Sequence, residues 1–295
     1  MSFISELSQS KEYLSFRSSV PLKVIVVDSD DKKGWKVFDC GPKTIKCPLV
    51  CLPPVSGSAD IYFKQALSLS AKGIRVISVE APVYWNVRDW CEGFRKLLDH
   101  LCLDKVHIFG ASLGGYLAQK FAEYSYLNSR VASLILCNTF NDTSIFNSHE
   151  SAALYWLLPA LVLKRLIVGN FKPDKVDFNI LEAAEFMAEK LECLSQIELA
   201  SRLTLNCLKG YVEAHKLRDI PVTIIDVFDE YALSSAVREE LYKCYPEAKI
   251  ANLKSGGNFP YLSRCQEVNL YIQIHLRQFD GNDLSPSNIP LLNRC

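Results

Sequence analysis

The feature that most restricts the folds open to this chain is a rhythm of eight short β-branched runs. They are "KVIVV" (23–27), "WKVFDC" (35–40), "PLVCLP" (48–53), "RVISVEA" (75–81), "KVHIFG" (105–110), "SLILCN" (133–138), "VTIIDVF" (222–228) and "KIANLKS" (249–255). Such runs read as strands, and the later ones alternate with helical patterns, which predicts parallel pairing because a parallel neighbour needs a crossover. The first two flank the turn-rich "DSDDKKG", which predicts an antiparallel hairpin. The fold class is therefore α/β, with an eight-stranded, mostly parallel sheet that starts antiparallel and continues doubly wound.

From 141 to 218 the strand signal disappears and helical patterns such as "ILEAAEFMAEKLECL" take its place. This segment is expected to form a helical cap inserted over the sheet. The domain then spans 16–280, with its core in 16–140 and 219–280 and the cap in 141–218. The remainder, 281–295, is loop-like and expected to be a mobile tail.

Lys+Arg and Asp+Glu both total 33, so there is no net field to gather a phosphate backbone, and nucleic acid is not an expected partner. Eleven cysteines, several inside apolar runs, match no zinc spacing and predict free thiols in a reducing compartment. The N-terminus lacks the apolar stretch of a secretory signal. The longest apolar run, "AALYWLLPALVL" (152–163), is too short for a bilayer. Asp28 and Asp30 have the one-three spacing of a calcium loop, but Gly34 and Asp39 fall where that loop needs other residues. A solvated hairpin turn is the favoured reading, with no metal and no cofactor expected.

The fifth run leads into "GASLG" (110–114), a G-x-S-x-G turn between a strand and the helical "YLAQKFAEY". That context lifts Ser112 above the carboxyl edge of the sheet as a nucleophile would be lifted. The Leu113 N–H is then one candidate oxyanion donor. The second must come from the loop after the third strand, "LPPVSGSAD", where Pro53 and Pro54 have no N–H but Val55 and Ser56 do. The seventh run ends near Asp229, a candidate acid or else a solvated loop carboxylate, while Asp226 stands where a glycine is common. A base should follow the eighth run, yet the sequence there reads Gly256, Gly257, Asn258, Phe259, Pro260. An amide takes no proton from a serine hydroxyl near neutral pH.

The other histidines are poorly placed to substitute. His107 begins the strand that ends at the serine turn, about 15 Å away at 3.3 Å per residue, and His100 lies further back. His275 has the spacing of a packed core residue. His149 and His215, in the insertion, are the two with a route over the site. Ser112 reads as a vestigial nucleophile, with a residual acceleration of about 10³ to 10⁴ over water from positioning alone.

The stretches "PLKVIVVD", "CPLVCLPPVSGSAD", "FRKLLDHL", "LDKVHIFGASLGG", "ELASRLTLNC", "RDIPVTIIDVFD" and "KSGGNFPYL" together resemble the maspardin family of the α/β-hydrolase superfamily, over 16–280. The resemblance implies an α/β-hydrolase fold and a cytoplasmic protein that associates peripherally with endosomal and trans-Golgi membranes. It also implies binding to the cytoplasmic tail of a T-cell co-receptor with damping of its signalling, and association with an aldehyde dehydrogenase family member. Hydrolysis is not an established property of maspardins.

Two readings follow. One is a non-catalytic adaptor, docking partners through Leu154, Leu157, Leu158 and Leu161 on one face of the apolar segment, with Val162 beside them; Tyr155, Trp156 and Leu163 point elsewhere and Pro159 kinks the helix. The same segment also reads as a cap helix packed on the sheet. The alternative function is a serine esterase or thioesterase using Ser112 with an unconventional base.

Overall fold

The computed structural model describes residues 4–28, 33–146, 155–168, 177–229 and 234–287. All eight runs are strands of one sheet: β1 (Lys23–Asp28), β2 (Lys33–Cys40), β3 (Leu49–Leu52), β4 (Val76–Glu80), β5 (Val106–Ala111), β6 (Val131–Cys137), β7 (Val222–Val227) and β8 (Lys249–Leu253). Their order is β1-β2-β4-β3-β5-β6-β7-β8. The β1/β2 and β2/β4 pairs are antiparallel and the rest are parallel. The inner strands β3 to β7 are buried at every position, whereas the edge strands β1 and β8 are partly exposed. Helices on both faces leave the inner strands no solvent side, so they read as mostly apolar runs, and the polar residues within them, such as His107, Ser133 and Thr223, are buried.

Alternation along each strand divides the core in two. Val50 and Leu52 of β3 join a cluster with Trp35, Trp90, Phe94 and Phe121, beneath α3 (Val87–His100) and α4 (Leu113–Tyr124). Leu49 and Cys51 face the opposite way, onto Phe16, Phe63, Tyr261 and Ile272, with α1 (Lys11–Ser19), α2 (Phe63–Ser70) and a C-terminal helix. The insertion between β6 and β7 is helical: α5 (Ala160–Val168), α6 (Phe178–Glu192) and α7 (Gln196–Cys207), the last opened by a capping box of Ser195 and Glu198. After β7 come α8 (Ser235–Cys244), β8 and α9 (Cys265–Leu276).

Three expectations are corrected. The ordered fold begins before residue 16, because α1 buries Tyr13 and a turn ahead of it buries Leu7. The tail does not leave the core at 281. The Pro286 carbonyl accepts from Arg75 N (3.0 Å), Ser287 bridges to Ile74, and the Leu284 carbonyl accepts from His107 Nε2 (2.8 Å). The entrances of β4 and β5 carry unpaired donors, and the tail supplies their acceptors; residues 288–295 lie outside the described set. Lastly, Pro159 does not kink a continuous helix. It separates a 3₁₀ turn (Tyr155–Leu157) from α5, where its carbonyl accepts from Val162 N (2.9 Å) and its missing N–H costs nothing.

Candidate functional site

The serine turn is built as the motif demands. Ser112 has φ 49° and ψ −119°, in the left-handed half of backbone space that costs a non-glycine residue about 1–3 kcal/mol. The turn is held from both sides: Ser112 N donates to the Cys137 carbonyl (3.1 Å), and Thr139 Oγ1 donates to the Ser112 carbonyl (2.6 Å). The flanking glycines permit close approach of backbone, since a Cβ on Gly114 would lie 2.2 Å from the Leu52 oxygen and one on Gly110 2.5 Å from the Gly114 oxygen. Ser112, half-buried, sits at the N-terminus of α4, whose first N–H groups, Leu113 included, have no intrahelical acceptor. That end of the helix favours a negative oxygen.

The loop after β3 is clamped by a residue the sequence did not announce. Arg202, on the cap helix α7, donates through Nη1 to the carbonyls of Val55 (3.0 Å) and Gly57 (2.5 Å), and through Nη2 to Glu80 (3.0 Å). Lys36 reaches the same Glu80 carboxylate at 3.0 Å and Glu198 at 3.6 Å. Burial lowers the Arg202 guanidinium from its ordinary range, against the pull of Glu80 and Glu198. With the Val55 carbonyl tied down, the Val55–Ser56 peptide has a set orientation, and with it the Ser56 N–H; the Val55 N–H belongs to the preceding peptide. The loop's next turn is tied to α1 and α6: Asp60 accepts from Arg17 (2.8 Å), Tyr13 (2.5 Å) and Lys190 (3.2 Å). Burial pushes the Asp60 carboxyl up, but Lys190 and the hydrogen bonds from Ser58 and Tyr13 outweigh it and hold the group below the usual range.

At the far side of the site the structure brings Asp229 against the turn that carries Asn258. Asp229 Oδ2 accepts from the N–H groups of Gly256 (2.9 Å) and Gly257 (3.1 Å), and Asn138 Nδ2 donates to the Gly257 carbonyl (3.0 Å). Gly257 has φ 61°, which glycine tolerates and most residues do not. Asp229 is thus tied to the backbone of the turn in which a base would stand, and Asn258 is half-buried there. Asp226 lies elsewhere in role: it accepts from Tyr242 Oη (2.6 Å) and from the N–H of Val227 (2.8 Å).

The described histidines stand away from Ser112. His215 lines a cleft of about 370 Å³ with Pro221, Val222 and Ala248, at the entrances of β7 and β8, the opposite edge of the sheet from the serine turn. His100 is exposed at the end of α3. His107 and His275 form a buried chain: Thr223 Oγ1 to His275 Nδ1, His275 Nε2 to Ser133 Oγ, Ser133 Oγ to His107 Nδ1, each 2.7 Å, then His107 Nε2 to the Leu284 carbonyl. The carbonyl only accepts, so His107 carries its proton on Nε2 and its Nδ1 accepts from Ser133. Ser133 in turn accepts from His275 Nε2–H, and His275 Nδ1 accepts from Thr223. These donor directions are those of two neutral rings, the form that burial favours by pushing His107 down to about 4 and His275 down to about 3. His149 lies outside the described residues.

On the cap, Leu157 and Leu161 are 58% and 62% exposed, Val162 is also exposed and Leu158 is half-buried, whereas Tyr155 and Leu163 are buried. Leu154 lies outside the described residues, as does Asp30 of the acidic turn; Asp28 pairs with Lys96 at 2.8 Å. Among the described residues no helix is long and apolar enough to cross a membrane, and no group of three or more His, Cys, Asp or Glu side chains is placed to hold a metal.

Comparison with known proteins adds the following. Residues 80–175 match the family model for the alpha/beta hydrolase fold. The chain is 60% identical over 278 residues to maspardin of Mus musculus, which covers 94% of this chain and 90% of that protein, and the figures for maspardin of Homo sapiens are the same. Among solved structures, an esterase from Thermogutta terrifontis superposes with a TM-score of 0.72 at 17% identity, covering 88% of this chain and 98% of that one. At that identity the likeness concerns the fold alone.

Proposed function

We propose that this chain, which belongs to the maspardin family of α/β-hydrolase-fold proteins, is a non-catalytic adaptor that keeps the hydrolase scaffold without its reaction. The observation that carries the proposal is Asn258, a residue unable to take a proton, on the turn tied to Asp229. On this reading the chain binds the cytoplasmic tail of a T-cell co-receptor and damps its signalling. It works as a cytoplasmic protein held peripherally at endosomal and trans-Golgi membranes, and associates with an aldehyde dehydrogenase family member.

The exposed leucines of the cap are the proposed docking surface. Leu157 and Leu161 lie more than half in solvent, so replacing both with Glu should abolish co-receptor tail capture without lowering the melting temperature. Capture unchanged in that variant refutes the surface assignment.

One observation favours the esterase reading: the strained backbone of Ser112 is retained. A fluorophosphonate probe decides between the two, with Ser112→Ala as control. The adaptor reading expects no Ser112-dependent labelling of the natural chain and the first measurable ester turnover in Asn258→His. Rapid labelling and turnover by the unaltered chain would overturn it.

A further inference from the structure

β1 forms one side of the sheet, and among the described residues no strand lies beyond it. A strand with a single neighbour leaves about half its N–H and C=O groups unpaired, a template for another chain that natural edges usually blunt with charge, proline or shortness. At the other edge β8 carries Lys249 and Asn252 exposed, with no acid to balance the lysine. β1 differs: between its charged ends it runs Val24, Ile25, Val26, with Val24 62% and Val26 50% exposed.

Charge decides which chain fits this edge. Lys23, Ile25 and Asp28 pair with Val37, Trp35 and Lys33, alternate residues of β2, so their three side chains share one face of the sheet. The irregularity between Val26 and Asp28 is what brings Asp28 to that face. Val24 and Val26 lie on the other face. Lys23 is exposed with no ion-pair partner among the described residues, and Asp28 is half-buried beside Lys96. A second copy running antiparallel about a two-fold axis at Ile25 sets Ile25 against its own counterpart, Val24 against the second copy's Val26, and Lys23 against the second copy's Asp28, each pair on a shared face. The strand is its own complement in charge. The same operation on β8, about Ala251, sets Lys249 against Leu253 and forms no ion pair.

We propose that β1 is a homodimer interface, joining two copies of this chain edge to edge so that their eight-stranded sheets become one. One strand from each copy makes a small interface, so the dimer forms and dissociates with concentration. The proposal rests on neither the serine turn nor the cap leucines.

The test is sedimentation velocity of the full chain over rising concentration, with hydrogen exchange of the β1 amides. The natural chain should pass from monomer to dimer, and the β1 amides should gain protection as it does. Lys23→Glu and Asp28→Lys each turn two attractions into repulsions, and each should raise the dimer dissociation constant about tenfold or more. Mixed together, the two variants should associate, because each presents the charge that the other lacks, and the chain carrying both substitutions should dimerise like the natural one. Ile250→Glu, on the opposite edge, should change nothing. Val24→Asp, at an exposed position, should also weaken the dimer, and it serves if Asp28→Lys does not fold. A monomer at every concentration overturns the proposal, as does a dimer that leaves the β1 amides unprotected or that Ile250→Glu disrupts as strongly. Single variants that ignore each other when mixed overturn it too. A monomer whose β1 amides gain protection only from an added valine-rich peptide of other sequence would give the edge to a foreign strand instead.

Discussion

Acidification from pH 8 to pH 5 should cost this protein about 4 kcal/mol of folding stability through His107 and His275 alone. In the unfolded chain each imidazole titrates near 6.5, whereas in the native chain burial holds them down to about 4 and about 3. A depressed native value favours the neutral ring, so this contribution is complete above about pH 6.5. It is lost progressively as pH falls towards the native values. At pH 5 each unfolded imidazole is about 97% protonated, which stabilises the unfolded state by about 2 kcal/mol per ring. The neighbouring Lys249 pushes His275 in the same direction. Against a total stability of about 5–15 kcal/mol the loss is large. The assay is urea unfolding at pH 8 and pH 5 for the natural chain and for the double variant His107→Gln, His275→Gln, whose amides can relay the hydrogen bonds but cannot titrate here. The double variant should start less stable at pH 8 and lose about 4 kcal/mol less on acidification. Equal losses, or a native imidazole of this pair titrating near 6.5 by NMR, would refute both the neutral relay and its proton direction.

Two further outcomes are expected from packing and charge. Gly114→Ala places a Cβ against the backbone oxygens of Leu52 and Pro53, 2.2 and 2.7 Å away, neither free to move. The variant should lose about 3 kcal/mol or more, read by calorimetry as a fall of about 6 °C or more in Tm. Arg202→Met strips the Val55 and Gly57 carbonyls of their donor and should cost about 3 kcal/mol. Lys36→Met, at the 42% exposed end of the same network, should cost less than about 1 kcal/mol. Equal losses in urea unfolding would contradict the assignment of Arg202 as the clamp.

The sequence alone determined the eight strands, their antiparallel start, the serine turn and the asparagine at 258. Each of these is a local property: β-branched runs declare strands within a few residues, glycines at 110 and 114 mark a backbone turn with no room for a Cβ, and a histidine is either present at 258 or it is not. The exposure of Leu157 and Leu161 could not be read from the periodicity of their segment, because Pro159 divides that segment into a turn and a helix. The tertiary structure alone decided the rest. Arg202 became a clamp only when α7 lay across the loop after β3, and Asp229 met the Asn258 turn only through the β7/β8 pairing. The histidine chain joins residues of β5, β6, β7, α9 and the tail, and β1 became an open edge only through the order of the strands. The physical reason is range: a hydrogen bond or a strand order depends on atoms brought together from positions tens to hundreds of residues apart, whereas propensity and patterning report only on neighbours along the chain.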